Sequence, residues 1–194
     1  INWYWGTDGN CPSGKYDFES IALHEMCHGL GFVSLGKVSA GLGSFGTLTA
    51  ADFSPIVTSF TWPALDTLPD IFDTYLVNNN GEQLIDTSMF ASFSTALKTE
   101  MTGDHVYWNG PFGMQGAGNT EPRMYAPPTY ALGSSLSHLN ESTYPVLNVN
   151  ELMTPMSGSG SSNHNPGYIT VGILKDIGWA VNEQYLTTDY IQKN

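Results

Sequence analysis

The sequence is poor in basic residues and has no long apolar run. Only six Lys and Arg residues stand against 18 Asp and Glu in 194 residues, which gives a formal net charge of −12. Such a charge argues against nucleic acid or an anionic membrane surface as a partner. No apolar run approaches the roughly 18 to 20 residues that a membrane-spanning helix needs. We therefore expect a chain that binds neither nucleic acid nor a membrane.

Cysteine is also scarce, with only Cys11 and Cys27 in the whole chain. Low lysine and abundant Gly, Ser, Thr and Asn accompany this pair, and no charged and then apolar leader is seen. These features predict a secreted, extracellular protein. A chain of this length is expected to form one domain with a proper core.

The strongest chemical signal is the HExxH motif from His24 to His28. The two histidines are four residues apart, so on a helix both can reach one metal ion. Neutral imidazole suits Zn²⁺, and Glu25 beside them is placed to take a proton from a water molecule. A bare HExxH motif also occurs by chance on helices whose histidines are only polar surface.

The residues around the motif predict the helix that carries it. An aromatic run at 1–5 indicates a strand before the helix, Asp17 is a good N-cap, and Glu19 suits the positive helix start. Gly29 and Gly31 are expected to end the helix. Gly31 can adopt a positive φ and turn the chain beneath the metal, although an ordinary glycine C-cap explains it equally well.

The motif resembles the pattern of the metzincin zinc peptidases, HExxHxxGxx followed by a third His or Asp ligand. His24, Glu25, His28 and Gly31 match this pattern. The next required position is Ser34, which is a poor zinc ligand, so the third ligand must come from further along the chain.

A second cluster is similar to the leishmanolysin branch of the metzincins, in which a long insertion precedes the third histidine and a methionine turn follows. The resemblance implies that His138 is the third ligand and that Met153, in the stretch ELMTP, forms the Met-turn. Met153 alone is more typical of a gap-filling core residue. His105 and His164 remain as alternative ligands: the first lies in an expected strand, and the second in a Gly- and Ser-rich loop after Met153.

The resemblance also implies an α+β fold, a zincin catalytic domain with a Met-turn and a C-terminal helix. We divide it into a strand and zinc helix at 1–34, an irregular insertion at 35–130, the third ligand, Met-turn and C-terminal helix at 131–179, and a tail at 180–194. Local patterns predict strands at 55–60, 72–77 and 105–108. They also predict a hairpin turn at 78–81 and helices at 88–98 and 170–177. Metzincins normally place a twisted sheet before the motif helix. Its strands are expected to have been removed by processing, to lie on another chain or to come from the insertion. We favour an incomplete upstream sheet, with an upstream fragment of the same precursor completing it.

The function that the resemblance implies is a secreted zinc endopeptidase acting on protein or peptide substrates. Glu25 is then the general base for attack by a zinc-bound water, with one catalytic Zn²⁺. Many relatives carry a tyrosine where this chain has Pro155, so any oxyanion support from that tyrosine is absent here. Tyr130 and Tyr168 are the candidates to replace it. The segment 156–168 is expected near the substrate, or else as a disordered surface loop.

Three other interpretations stay open at this point. A thermolysin-like site is disfavoured because no glutamate occurs between Glu25 and Glu82. A non-catalytic, zinc-stabilised binding or adhesion module is the alternative from another class of protein. The excess of acids leaves Ca²⁺ open as a further ion, without an EF-hand pattern.

The two cysteines support two different expectations. A disulfide between Cys11 and Cys27 would close a loop of about 15 residues and contribute about 3 kcal/mol. The competing hypothesis is a latent form in which the Cys11 thiolate occupies the open zinc position and Cys27 is a free buried thiol. The chain also contains the sequon Asn140-Glu141-Ser142, and glycosylation at Asn140 would crowd the site.

Overall fold

The computed structural model describes residues 1–53 and 68–182. It contains short strands and helices in a mixed order, so the α+β class is confirmed at this level. The elements in chain order are β1 (Trp3–Tyr4), β2 (Tyr16–Asp17), α1 (Phe18–Gly29), β3 (Gly36–Ser39), β4 (Leu42–Phe45), β5 (Leu76–Asn78), α2 (Thr95–Met101), β6 (Val106–Trp108), α3 (Pro111–Gly116) and α4 (Gly167–Asp176). Single 3₁₀ turns lie at Ala50–Phe53, Asp73–Tyr75 and Glu151–Met153.

The chain forms two compact units. The first unit comprises Ile1–Phe32, Trp108–Arg123 and the described residues from His138 onward, and the second comprises described residues of Val33–Tyr107 together with Met124–Ser137. The expected motif helix, third histidine and Met-turn all belong to the first unit. Most of the expected insertion at 35–130 belongs to the second.

The first unit begins with a short parallel pair that leads directly into α1. Trp3 pairs with Tyr16, and the helix starts after Asp17, whose side chain accepts a hydrogen bond from the Ser20 N–H at 2.8 Å. This N-cap is the predicted one. The helix ends at Gly29, and Gly31 then adopts a φ of 100°, which a residue with a side chain rarely tolerates.

Helices α3 and α4 pack closely in the same unit because glycines lie at their contact. A methyl group at Gly172 would stand only 2.2 Å from the Phe112 carbonyl oxygen, so the backbones approach each other where no side chain fits. Asp176 at the end of α4 accepts hydrogen bonds from the Phe112 and Gly113 N–H groups at the start of α3. The predicted C-terminal helix is confirmed, beginning slightly earlier than expected.

The second unit differs from the sequence prediction in its short elements. The expected strand at 72–77 is a 3₁₀ turn followed by β5, because the Asp73 N–H is capped by the Asp70 side chain at 2.9 Å. The helix expected at 88–98 begins only at Thr95, with Ser94 as its N-cap. The strand at 105–108 and the turn closed by Gly81 are confirmed, whereas the strand expected at 55–60 lies outside the described residues.

The predicted disulfide is wrong in this structure, where Cys11 and Cys27 are both free and buried. The Cys11 thiol donates instead to the Lys15 carbonyl oxygen at 3.4 Å, within its own loop. Burial raises the pKa of Cys27 to about 11. Neither sulfur belongs to the cluster of metal-binding groups described below.

The described helices can also be compared with the dimensions of a bilayer. None of them combines the length and the apolar character required to cross a membrane.

Candidate metal centre

Three histidine side chains converge in the first unit. The Nε2 atoms of His24 and His28 are 3.0 Å apart, and the Nε2 atom of His138 is 3.1 Å from the first and 3.3 Å from the second. In a tetrahedral zinc site with Zn–N distances of about 2.0 to 2.1 Å, neighbouring nitrogens lie about 3.3 to 3.4 Å apart. The three nitrogens are therefore spaced closely enough to hold one metal ion, as the sequence predicted for His138.

The other ring nitrogens show which protonation state brings these side chains together. The Nδ1 of His24 donates to the Leu152 carbonyl oxygen, and the Nδ1 of His28 donates to the Phe32 carbonyl oxygen, both at 2.7 Å. A neutral imidazole with its proton on Nδ1 has only a lone pair on Nε2. Backbone carbonyls therefore orient both rings with lone pairs facing the centre of the cluster.

Lone pairs that converge in this way could hold a cation. Two neutral rings that each donate from Nδ1 cannot hydrogen-bond to one another through Nε2, so their Nε2 atoms at 3.0 Å repel. A bound cation turns this repulsion into attraction. Burial lowers the pKa of His28, and the opposing effects of the Phe32 carbonyl and the Glu25 charge are smaller. The lowered pKa favours the neutral, metal-binding form of the ring.

The short turn at Glu151–Met153 connects the helix with the third histidine. The Leu152 carbonyl oxygen receives the His24 Nδ1–H, and the Met153 carbonyl oxygen accepts a hydrogen bond from the Leu139 N–H at 2.7 Å. Met153 itself is fully buried. Because Leu139 follows His138 directly, the Met153 segment sets the position of two of the three histidines.

Glu25 is exposed on the helix surface beside His24. Both residues line an open cleft of about 220 Å³. Its lining combines apolar side chains with hydroxyl and amide groups. The remaining lining residues are Ser20, Ile21, Val146, Glu151, Leu152, Thr154, Pro155, Met156, Ser157, Gly158, Ser161 and Asn163.

The two other histidines lie outside the cluster. His105 is in the second unit, where its Nε2 atom is 3.1 Å from Glu100 Oε2. His164 is in the first unit, where its Nε2 atom is 2.9 Å from Asp17 Oδ1. Each has an acidic partner. Neither is among the three histidines whose nitrogens converge.

Neither tyrosine left open as a substitute lines the cleft. Tyr130 donates its hydroxyl to the Gly36 carbonyl oxygen at 2.6 Å within the second unit, and burial raises its pKa. Tyr168 is buried in α4.

The sequon at Asn140 is not accessible in the folded chain. Asn140 is 3% exposed, and its side-chain oxygen accepts hydrogen bonds from the Thr143 N–H and hydroxyl, both at 3.0 Å. A glycan at this nitrogen would require the turn to open. The side chain instead stabilises the turn that follows His138.

The segment after Met153 is ordered against the start of α1, which composition alone did not reveal. The Gly160 N–H donates to the Lys15 carbonyl oxygen at 2.8 Å, and the Asn163 N–H donates to the Ser20 hydroxyl at 2.7 Å. The signal that sequence reasoning missed is the pair of potential anchors, Asp17 and His164.

Comparison with protein-family models, with curated proteins and with solved structures finds no match for this chain.

Proposed function

We propose that this chain is a secreted zinc-dependent endopeptidase of the metzincin type, resembling the leishmanolysin branch. The observation that carries the proposal is the convergence of the Nε2 atoms of His24, His28 and His138 next to Glu25 in an open cleft. The motif resemblance assigns the same four residues to a catalytic zinc site.

The ligand set favours zinc. Three neutral imidazoles suit Zn²⁺, and three protein ligands with a further open position are typical of catalytic zinc sites. When bound in such a site, zinc polarises a carbonyl oxygen and lowers the pKa of a water molecule from about 15.7 toward 7. Oxygen-rich sites for Mg²⁺ or Ca²⁺ have different ligands.

The chain's own residues divide the remaining work. The carbonyls of Leu152 and Phe32 keep His24 and His28 in the Nδ1–H tautomer, so no proton has to leave these rings before a metal binds. Glu25 presents a solvated carboxylate to the cleft. Its carboxylate is the group that accepts a proton from the attacking water and passes it to the amine nitrogen that leaves.

The competing function is a binding or adhesion module with a structural zinc ion. Structural zinc sites are closed by four protein ligands. Among the described residues the cluster has three members, and an adjacent exposed carboxylate lines the same cleft. This arrangement favours catalysis over a purely structural role.

The test compares wild-type protein with Glu25→Gln and with Glu121→Gln, a matched change at an exposed glutamate that does not line the cleft. Zinc content is measured by elemental analysis, and cleavage is measured on fluorescein-labelled casein. Glu25→Gln is expected to keep stoichiometric zinc and to lose roughly 10² to 10⁴-fold in rate, as general-base loss does.

Glu121→Gln is expected to keep both the zinc and the rate. A folded, zinc-loaded Glu25→Gln protein that retains most of the activity would exclude this mechanism. A wild-type protein that binds zinc but cleaves no casein would favour the binding module.

A further inference from the structure

His164 lies between two carboxylates at the start of α1, outside the three-histidine cluster. Its Nε2 atom is 2.9 Å from Asp17 Oδ1, and its Nδ1 atom is 3.5 Å from Glu19 Oε2. The side chain of Asp17 is only 1% exposed and that of His164 is 20% exposed. Salt therefore screens this pair less than it screens an exposed surface pair.

Asp17 accepts hydrogen bonds both from the first turn of α1 and from the segment before His164. Its Oδ1 atom accepts from the N–H and the hydroxyl of Ser20, each at 2.8 Å, and its Oδ2 atom accepts from the Ser162 hydroxyl at 3.0 Å. Burial acts to raise the pKa of Asp17, but the hydrogen bonds from Ser20, His164 and Ser162 outweigh it, so the pKa is lowered. Asp17 is thus at once the N-cap of α1 and the anchor of a distant segment.

The segment that Asp17 anchors is one side of the cleft. We call residues 157–163 the cleft wall, because Ser157, Gly158, Ser161 and Asn163 line the cleft that contains His24 and Glu25. Its backbone is joined to the start of the chain by the Gly160 and Asn163 N–H groups. His164 follows the wall directly and completes this set of contacts at its C-terminal end.

Glu19 adds a second reason for a histidine at this position. Its Oε2 atom is buried and has no hydrogen-bond partner, and the nearest nitrogen described for it is His164 Nδ1 at 3.5 Å. A histidine protonated on both ring nitrogens donates in both directions. Each ring nitrogen of His164 thus has a carboxylate oxygen within 3.5 Å.

We propose that His164 is a positioning residue: by pairing with Asp17 it holds the cleft wall against the first turn of α1 and so sets the affinity of the cleft for its substrate. The effect on substrate rests on the proposed peptidase function. The clamp on the wall does not, so the two parts can be tested separately.

The first experiment measures amide hydrogen exchange in the wild-type protein and in His164→Ala, His164→Gln and His105→Ala. His164→Ala is expected to raise exchange at the Gly160 and Asn163 amides about tenfold, the scale of one lost charge-assisted hydrogen bond. His164→Gln retains a donor near the position of Nε2 and is expected to restore most of the protection. His105→Ala is the matched control, because it removes another histidine paired with an acid, Glu100.

The second experiment measures zinc content and steady-state cleavage of fluorescein-labelled casein by the same variants. His164→Ala is expected to raise KM about tenfold, with kcat within about twofold of wild type and zinc unchanged, because only the wall moves. Zinc loss, or a fall in kcat with constant KM, would overturn the positioning role.

Unchanged exchange at both amides in His164→Ala would overturn the clamp itself. If His164→Ala does not fold, Ser162→Ala replaces it. This change removes the hydrogen bond to Asp17 and the acceptor of the Cys11 N–H, and it is expected to raise exchange about threefold. Unchanged exchange in Ser162→Ala would then be the contradicting result. A wild-type protein without peptidase activity would refute the proposed function, whereas the exchange measurements would still decide the clamp.

Discussion

Two polar sites, one in each unit, are arranged in opposite ways. In the second unit the fully buried Asp73 receives hydrogen bonds from the Ser34 hydroxyl at 2.6 Å and from the Leu35 and Asp70 N–H groups at 3.2 and 3.1 Å. In the first unit His24 and His28 turn acceptor lone pairs toward each other.

This difference separates a structural polar group from a ligand site. A buried carboxylate whose oxygens all have donors stabilises the chain around it. Acceptors that converge without a donor between them are unfavourable unless a ligand supplies positive charge. The contrast predicts that changes at the histidines alter metal binding, whereas changes at Asp73 alter stability.

The largest effect is expected for His138→Ala, which removes one of the three converging nitrogens. Loss of an outer partner of a metal ligand already lowers metal affinity roughly 10 to 100-fold, so loss of a ligand should lower it further. Zinc titration against a competing chelator measures the affinity. His105→Ala and His164→Ala are expected to retain stoichiometric zinc.

After chelation, the free energy of unfolding of His138→Ala should lie within about 1 kcal/mol of that of chelated wild type. The change removes a nitrogen that faces the two other imidazole nitrogens. Stoichiometric zinc and full activity in His138→Ala would refute the ligand assignment together with the leishmanolysin-like interpretation. They would also remove the contrast between the units.

A smaller effect, on stability alone, is expected for Asp73→Ala. This change leaves the Ser34 hydroxyl and the Leu35 and Asp70 N–H groups without their acceptor, and each unsatisfied buried group costs about 1 to 3 kcal/mol. Urea unfolding measures the loss, and zinc affinity should not change. Asp86→Ala, at an exposed carboxylate, is the control and should leave the urea midpoint nearly unchanged. A loss of zinc in Asp73→Ala would break the comparison.

The same carboxyl predicts a pH dependence. Burial first, and then the neighbouring charge of Asp70, raise the pKa of Asp73 well above its ordinary value of 3.8. A group with a raised folded-state pKa contributes stability that is present below its unfolded pKa and is lost as pH rises through the folded pKa. The stability of wild type relative to Asp73→Asn should therefore fall as the pH rises above about 4. A constant difference across the range measured by urea unfolding would contradict the shift.

The smallest effect concerns the cysteines of the first unit. Because burial raises the pKa of Cys27 to about 11, its thiolate fraction at pH 7 is about 10⁻⁴, and alkylation of the folded protein should be negligible. Mass spectrometry without reduction should find two thiols that alkylate once the chain is unfolded. A mass lower by two hydrogens would instead demonstrate the disulfide, and would show that the first unit is held by a cross-link as well as by its hydrogen bonds.

Parts of the fold followed from local patterns, and parts did not. The cap at Asp17, the turn at Gly31 and the helix after Pro166 depend on neighbouring residues, and the structure contains all three. Composition also favoured a disordered surface loop as one interpretation of 156–168. The segment is ordered by contacts with residues distant in the sequence: Asp17 is separated from His164 by 147 positions. Local composition therefore could not reveal this order.

The spacing of His24, Glu25 and His28 was determined by the sequence alone, since a helical repeat brings residues four apart to one face. The meeting of His138 with this pair was decided by tertiary structure. It depends on backbone hydrogen bonds from Leu139 to Met153 and on the His24 side chain reaching the Leu152 carbonyl 128 positions away. The sequence could name the third histidine only by resemblance and elimination, because contacts between distant backbone groups leave no periodic signal in the chain.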